Sequence, residues 1–219
     1  MRLSTMTPSA RGFDCNTTVS RDAAKRMRAA GFGFAIRYVR RTTAHTFDIT
    51  SNELTNLLDA GLGVMLVQHV AAPGWVPTEA LGAQYGATAA AEAALIGYML
   101  GAHLWCDLEG VQAGASHADV IAFCNAWHGA VQDAGYHPGL YVGDSCGLTA
   151  TELYRALRFD SYWSAYNLNR DNFPATRGVM LRQFAYPPVS RRVLGVPFEY
   201  DEDVVQADAM GDLPTMVVA

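Results

Sequence analysis

Charged residues are scarce in this sequence, at 17 % of its 219 residues, whereas half of the residues are apolar. This balance excludes a disordered chain and favours a large buried core. Lys and Arg never occur in runs longer than two, and the net charge is −5. Nucleic-acid binding is therefore not expected, because it needs a concentrated positive surface.

Long apolar runs are missing as well. The most apolar stretch, at about residues 87–100, contains Glu92 and is too short to span a bilayer. The N-terminal segment MRLSTMTPSARG has neither the apolar stretch of a signal peptide nor a twin arginine. We therefore expect a monomer made as a soluble cytoplasmic protein. Any action at a cell wall would then require release or delivery by another system.

Short metal-binding and nucleophile motifs are also absent. The four cysteines form no CxxC pair and the six histidines have no HxH or HExxH spacing, which argues against a zinc site. There is no GxSxG motif, and no GxGxxG or GxxxxGK[ST] loop. Without a signal peptide, the cysteines are expected to be reduced and mostly buried. We expect no metal and no cofactor.

Short apolar segments alternate regularly with amphipathic ones. Helix starts are predicted at Ser20, at Thr50 or Ser51, near residue 78, at Ser116 and near residue 148. The predicted strands are 12–15, 32–39, 63–70, 103–109, 137–144, 159–166, 179–186 and 196–205. Such alternation is typical of parallel βαβ units.

These strands predict an α/β fold, a (β/α)8 TIM-type barrel near the lower size limit of that architecture. The later connections are too short for full helices, so we expect irregularity or missing helices in the C-terminal half. An open doubly wound sheet is the alternative. Residues 11–219 are assigned to one barrel domain and residues 1–10 to an N-terminal extension.

Acidic residues stand at the predicted ends of several strands. Asp107 and Glu109 close the segment HLWCDLEG, and Asp14 and Asp201 lie on the first and last strands. In a barrel of this type the strand ends surround the active site. Asp107 and Glu109 share one face of their strand and repel each other, which raises the pKa of at least one. Glycoside hydrolysis uses such a pair, one carboxyl as an acid and one supporting the cationic transition state.

Other interpretations of these carboxyls stay open. Acidic pairs also occur in exposed turns, and carboxylate oxygens would suit Mg²⁺ or Ca²⁺. Asp203 is an alternative to Asp201, because the register of EYDED is ambiguous. Aromatic and hydrogen-bonding side chains near the strand ends could bind a sugar, although each could instead pack in the core. The candidate substrate-binding residues are Tyr38, His69, Tyr141, Trp163, Tyr166 and Gln183.

Several short motifs follow one another along residues 11–205. They are Gly12-Phe13-Asp14-Cys15, Arg37-Tyr38, Asp107-Leu108-Glu109, Tyr141-Val142-Gly143, Trp163-Ser164-Ala165-Tyr166, Arg182-Gln183-Phe184 and Asp201-Glu202-Asp203. Together they resemble the glycoside-hydrolase-like family once catalogued as domain of unknown function 1906, and more distantly the family 25 lysozymes (muramidases). The second strand departs from the lysozymes, which usually end it in a Lys and a Glu-Gly pair, whereas this chain reads RYVRRTT.

The resemblance implies a barrel whose mouth binds peptidoglycan and cleaves it between N-acetylmuramic acid and N-acetylglucosamine. By position, Glu109 looks like the general acid. Asp107 looks like its partner, which stabilises the transition state or orients the N-acetyl group, and Asp14 and Asp201 look like flanking substrate-binding residues. The implied function is that of a lysozyme-like hydrolase, such as a phage endolysin or a delivered effector. A non-catalytic glycan-binding barrel and a metal-dependent phosphodiesterase remain the alternatives.

Overall fold

The computed structural model describes residues 1–219, apart from the side chain of Arg191. Its helices are α1 (Arg21–Ala29), α2 (Ser51–Asp59), α3 (Glu79–Leu95), α4 (His117–Asp133) and α5 (Ala150–Arg155). Its strands are β1 (Arg2–Thr5), β2 (Arg11–Cys15), β3 (Phe34–Val39), β4 (Gly63–Gln68), β5 (His103–Leu108), β6 (His137–Val142), β7 (Ser161–Ser164), β8 (Leu181–Phe184), β9 (Asp201–Val205) and β10 (Thr215–Val218).

Strands β2 to β9 pair in chain order, and β9 pairs back to β2, which closes an eight-stranded barrel. The pairs from β2 to β8 are parallel, whereas β9 is antiparallel to both β8 and β2. The predicted α/β barrel is therefore confirmed, and the open sheet is excluded. The expectation that every strand is parallel is wrong for β9.

The reversal of β9 explains part of the irregularity predicted for the C-terminal half. Strand β8 ends at the mouth of the barrel, and β9 begins there, so residues 185–200 connect them without the crossover helix that parallel strands need. Between β7 and β9 the helical segments of the described chain are two short 3-10 turns, Arg170–Asn172 before β8 and Val189–Arg191 after it. The last three predicted strands are correspondingly shorter than expected.

The helix starts follow the sequence signals. Ser20, Thr50 and Thr78 each accept a backbone hydrogen bond at the start of α1, α2 and α3, and Thr149 forms a capping box on α5. Ser116 precedes α4 without a side-chain cap. Each side-chain cap contributes about 1 kcal/mol and fixes the residue at which its helix begins.

Alternate side chains on each strand divide the core into two layers. On β5, Trp105 points into the barrel, while Cys106 and Leu108 pack outward in the layer that contains the helix residue Phe123. Trp105 and Trp163 are fully buried and fill the interior, as in barrels of this architecture. All four cysteines are free and buried, as predicted.

Strands β1 and β10 lie outside the barrel. They form an antiparallel pair, and β10 joins the amino end of β4 through the Val217–Val64 pairing. The predicted extension at residues 1–10 thus contains a strand. None of the helices in the described chain combines the length and the apolar character needed to cross a bilayer.

Candidate active site

A cavity of about 340 Å³ opens at the carboxyl ends of the parallel strands. It contains five carboxyl groups and neither Lys nor Arg. Its wall is formed by Asp14, Cys15, Asn16, Tyr38, His69, Val70, Asp107, Glu109, Tyr186, Glu199, Tyr200 and Asp201. The fold thus brings the four predicted catalytic carboxyls into one cavity, together with Tyr38 and His69.

The reversed strand places Asp201 at this mouth. Asp201 is the first residue of β9 and is paired with Asp14 on β2. Asp203 lies two residues further into the barrel and is completely buried. The ambiguous register of EYDED is resolved by this pairing, because Asp201 lines the cavity and Asp203 lies below it.

Asp14 is held from behind by a chain of hydrogen bonds. The Tyr38 hydroxyl donates to Asp14 Oδ1 at 3.2 Å, and Gln183 Nε2 donates to Oδ2 at 2.8 Å. The Tyr141 hydroxyl donates in turn to Gln183 Oε1 at 2.9 Å. Gln183 and Tyr141 are buried and lie outside the cavity wall. They therefore orient Asp14 and do not line the cavity, where they were predicted to contact a ligand.

Two other predicted substrate-binding aromatics lie away from the cavity. Trp163 is 1 % exposed, and its indole Nε1 donates to Asp203 Oδ1 at 2.9 Å. Such burial leaves no ring face for a sugar, so the predicted stacking role of Trp163 is wrong. Tyr166 is exposed on the surface but does not line this cavity.

Residues that the sequence pattern did not single out complete the wall. Tyr186, Glu199 and Tyr200 come from the connection between β8 and β9, and Asn16 follows β2. The pattern contained no signal for them, because an irregular loop has no periodicity from which a side-chain direction can be predicted.

Burial sets the protonation of the carboxyls. It raises the pKa of Asp14 to about 7, and the charge of Asp201 raises it too, against the hydrogen bonds from Gln183 and Tyr38. Burial also raises the pKa of Glu109, with a smaller contribution from Asp144. A pKa of about 7 leaves Asp14 partly protonated at neutral pH, and a raised carboxyl pKa is a condition for a general acid.

Asp14 gives the structure a testable pH dependence. Its pKa rises from 3.8 to about 7 on folding, so the folded protein binds this proton more tightly than the unfolded chain. The stability contributed by Asp14 is therefore lost as the pH rises from about 4 to 7. We expect Asp14→Asn to become progressively more stable than the wild type over this interval, with a constant difference above it. Chemical unfolding across the pH range measures this difference.

The exposed Asp133→Asn variant on α4 controls for the loss of one negative charge. A difference between Asp14→Asn and the wild type that is independent of pH would contradict the raised pKa.

A metal centre has no support from the side chains. In the part of the chain that the structure describes, no three His, Cys, Asp or Glu residues are grouped so as to hold one metal ion.

A closed α/β barrel with an acidic cavity at its strand ends is an arrangement that glycoside-hydrolase-like proteins use. Residues 25–184 match the family model described as "Rv2525c-like, glycoside hydrolase-like domain". The match spans most of the chain, so the protein belongs to this family, as its motifs predicted. No curated protein matches the chain in sequence.

Solved structures share the fold over nearly the whole chain. An uncharacterized Bacillus stearothermophilus protein is 19 % identical with a TM-score of 0.68, and the alignment covers 93 % of this chain and 99 % of that one. The Tat-secreted Mycobacterium tuberculosis protein Rv2525c is 17 % identical with a TM-score of 0.64, covering 94 % and 99 %. A bacterial lysozyme from Streptomyces coelicolor is 17 % identical with a TM-score of 0.62, covering 94 % and 95 %. At these identities the likeness shows the fold.

Proposed function

We propose that the protein is a lysozyme-like glycoside hydrolase that cleaves the glycan backbone of peptidoglycan. The observation that carries the proposal is the pair Asp107 and Glu109: Asp107 lies near the end of β5, Glu109 follows that strand directly, and both line the same cavity. Glu109 is half-buried, whereas Asp107 is only 8 % exposed. Two carboxyls in unlike surroundings can hold unlike protonation states, as glycoside hydrolysis requires.

Glu109 is the general acid in this mechanism. Burial raises the pKa of Glu109, which favours the protonated form that an acid needs, and its partial exposure lets the carboxyl reach the leaving glycosidic oxygen. Asp107 lies deeper and faces the developing positive charge of the sugar, or the N-acetyl group beside it. Asp14 and Asp201 bind the sugar from the opposite wall and bias the proton distribution of the pair by their charges.

The apolar part of the wall suits a saccharide. Tyr38, Tyr186 and Tyr200 line the same cavity as the carboxyls. Aromatic rings provide faces against which the C–H groups of a sugar ring pack. Action at a cell wall is supported by the similarity in fold to a lysozyme and to a Tat-secreted protein.

Mass spectrometry of digested peptidoglycan tests the proposal. Purified protein is incubated with sacculi, and the soluble products are reduced with borohydride before analysis. Muropeptides with a reduced N-acetylmuramic acid end are the expected products. Protein that stays on the sacculi without releasing fragments would indicate a glycan-binding barrel. Activity on phosphodiesters that is lost with EDTA and restored by Mg²⁺ would indicate the phosphodiesterase.

Gly143 provides a second test, because it makes room for Glu109. A Cβ atom at position 143 would lie 2.5 Å from Glu109 Cβ, too close for two carbon atoms. Gly143→Ala is therefore expected to displace the Glu109 carboxyl and to lower the rate of cleavage about 100-fold. Turnover of peptidoglycan by the folded variant measures the effect.

Gly33→Ala is the matched control, because the nearest atom to a new Cβ there, Arg11 O, lies 3.6 Å away. It should cleave like the wild type. Unchanged activity in Gly143→Ala would mean that the position of Glu109 does not limit the reaction.

A further inference from the structure

The second half of the motif RYVRRTT, from Arg40 onward, is not used by the proposed mechanism. Its two adjacent arginines follow β3 and have different surroundings. Arg40 forms an ion pair with Glu92 on α3. The guanidinium carbon of Arg41 lies 5.3 Å from the ring centroid of Tyr85, in cation–π contact. Arg41 is therefore placed behind the active-site cavity, on the side of the helix α3.

Arg41 and Asp107 line the same small void behind the cavity. The void measures about 10 Å³, and Gln68, Tyr85 and Cys106 belong to its wall. A space of this size holds at most one water molecule. A saccharide cannot enter between the two charged groups, so any interaction between them is internal to the protein.

Both charged groups have buried polar atoms without partners. Among the described side chains, none bonds to Nε or Nη1 of Arg41, or to Oδ1 of Asp107. Two other polar side chains of the wall already have partners, since Gln68 Oε1 accepts from Trp127 at 2.8 Å and His69 bonds Asp48 at 2.9 Å. Asp107 is a buried carboxyl, and Arg41 is a half-buried cation with two nitrogens shielded from solvent, so leaving these atoms unpaired is costly unless the two groups compensate each other.

We propose that Arg41 is the counter-ion of Asp107: when Asp107 loses its proton, the guanidinium pairs with Oδ1 across the void. Arg41 is a positioning residue, because it acts through Asp107 and does not face the substrate. If the proposed hydrolase function is correct, this pairing makes Asp107 the ionised member of the pair and leaves the proton on Glu109.

The remaining surroundings of Asp107 oppose its ionisation. Burial raises the pKa of Asp107 well above the usual aspartate range, and the charges of Glu109 and Asp14 raise it further. Arg41 is the group that lowers it. The other titratable side chains of the cavity wall, or directly beneath it, include no cation at neutral pH, since burial lowers the pKa of His69. They are Cys15, Tyr38, His69, Tyr141, Tyr186, Glu199, Tyr200, Asp201 and Asp203.

Titration of Asp107 by carboxyl ¹³C NMR tests the pairing, with Asp107→Asn to assign the resonance. Arg41→Gln is expected to raise the midpoint by about one to three pH units, because a close opposite charge is lost. Arg41→Lys keeps the charge and should give a smaller increase. Arg40→Gln is the matched control: it removes the same charge from the adjacent residue, whose partner is Glu92, and should leave the midpoint unchanged.

Equal midpoints in the wild type and in Arg41→Gln would overturn the proposal. So would a wild-type Asp107 that stays protonated to about pH 9, five units above the ordinary aspartate value. The titration does not depend on turnover. An inactive protein that shows the shift refutes the hydrolase function alone, whereas an active one without the shift refutes the counter-ion alone.

Discussion

Glu109→Gln should reduce the rate of peptidoglycan cleavage by about 10² to 10⁴-fold, the range that a positioned general acid contributes. Glutamine has the same shape as glutamic acid but cannot give a proton to the leaving oxygen. Glu109 is half-buried and makes no hydrogen bond through its side chain within the described structure, so the fold should not depend on its charge. The loss should therefore fall on kcat, with little change in binding.

Initial rates of reducing-sugar release, compared with binding to sacculi, measure this effect. Circular dichroism and the unfolding midpoint show whether the variant is folded. Asp133→Asn, an exposed change on α4, is the control and should cleave at the wild-type rate. A folded Glu109→Gln protein with full activity would assign the acid to another residue, and Asp107→Asn would be the next variant to measure.

Glu53→Gln should destabilise the protein by about 3 to 5 kcal/mol, as expected for breaking a fully buried ion pair. Arg37 is 0 % exposed and Glu53 is 2 % exposed, and Arg37 Nε lies 2.7 Å from Glu53 Oε1. Glu53 also accepts a hydrogen bond from the backbone of Val19, and Arg37 donates to the carbonyl of Phe47 at 2.8 Å. Glutamine would leave the Arg37 guanidinium buried without a counter-charge.

Urea unfolding of three variants shows whether the loss of stability comes from the burial of the ion pair or from the loss of any ion pair. Asp59→Asn breaks the 3.4 Å pair with Arg21 between α1 and α2, where both side chains are about half exposed. It should cost less than about 1 kcal/mol. Replacing Arg37 and Glu53 together by Met should cost less than Glu53→Gln alone, because no charge is then left unpaired. Equal effects of Glu53→Gln and Asp59→Asn would contradict the buried-pair interpretation.

The sequence allowed the barrel and most of its mouth to be predicted, because both follow from local patterns. Apolar segments alternating with capped helices define parallel units, and acidic residues at strand ends then share one rim. Asp14, Asp107 and Glu109 could be placed in this way. The direction of β9 could not, since an apolar pattern is the same in both directions along a strand. Asp201 lies at the mouth because β9 runs antiparallel to β2, which pairs Asp201 with Asp14. A parallel β9 would not have given this pairing.

Depth within the barrel was also beyond the sequence. The alternation of side chains along a strand predicts that Trp163 faces the barrel interior, as it does. It does not predict how far the side chain lies from the opening of the barrel. Trp163 is consequently buried below the site, bonded to Asp203. Arg41 could not be related to Asp107 for a different reason: it follows the end of a strand, where side-chain direction depends on tertiary packing.

The connection at residues 185–200 has a further consequence for specificity. Because β8 and β9 meet at the same rim, this segment begins and ends beside the cavity, and it supplies Tyr186, Glu199 and Tyr200 to the wall. Its length can change without disturbing the spacing of the barrel strands, because antiparallel neighbours need no crossover helix on the outside of the barrel. Relatives with the same four carboxyls could thus differ in how many sugar units they accommodate through this segment alone.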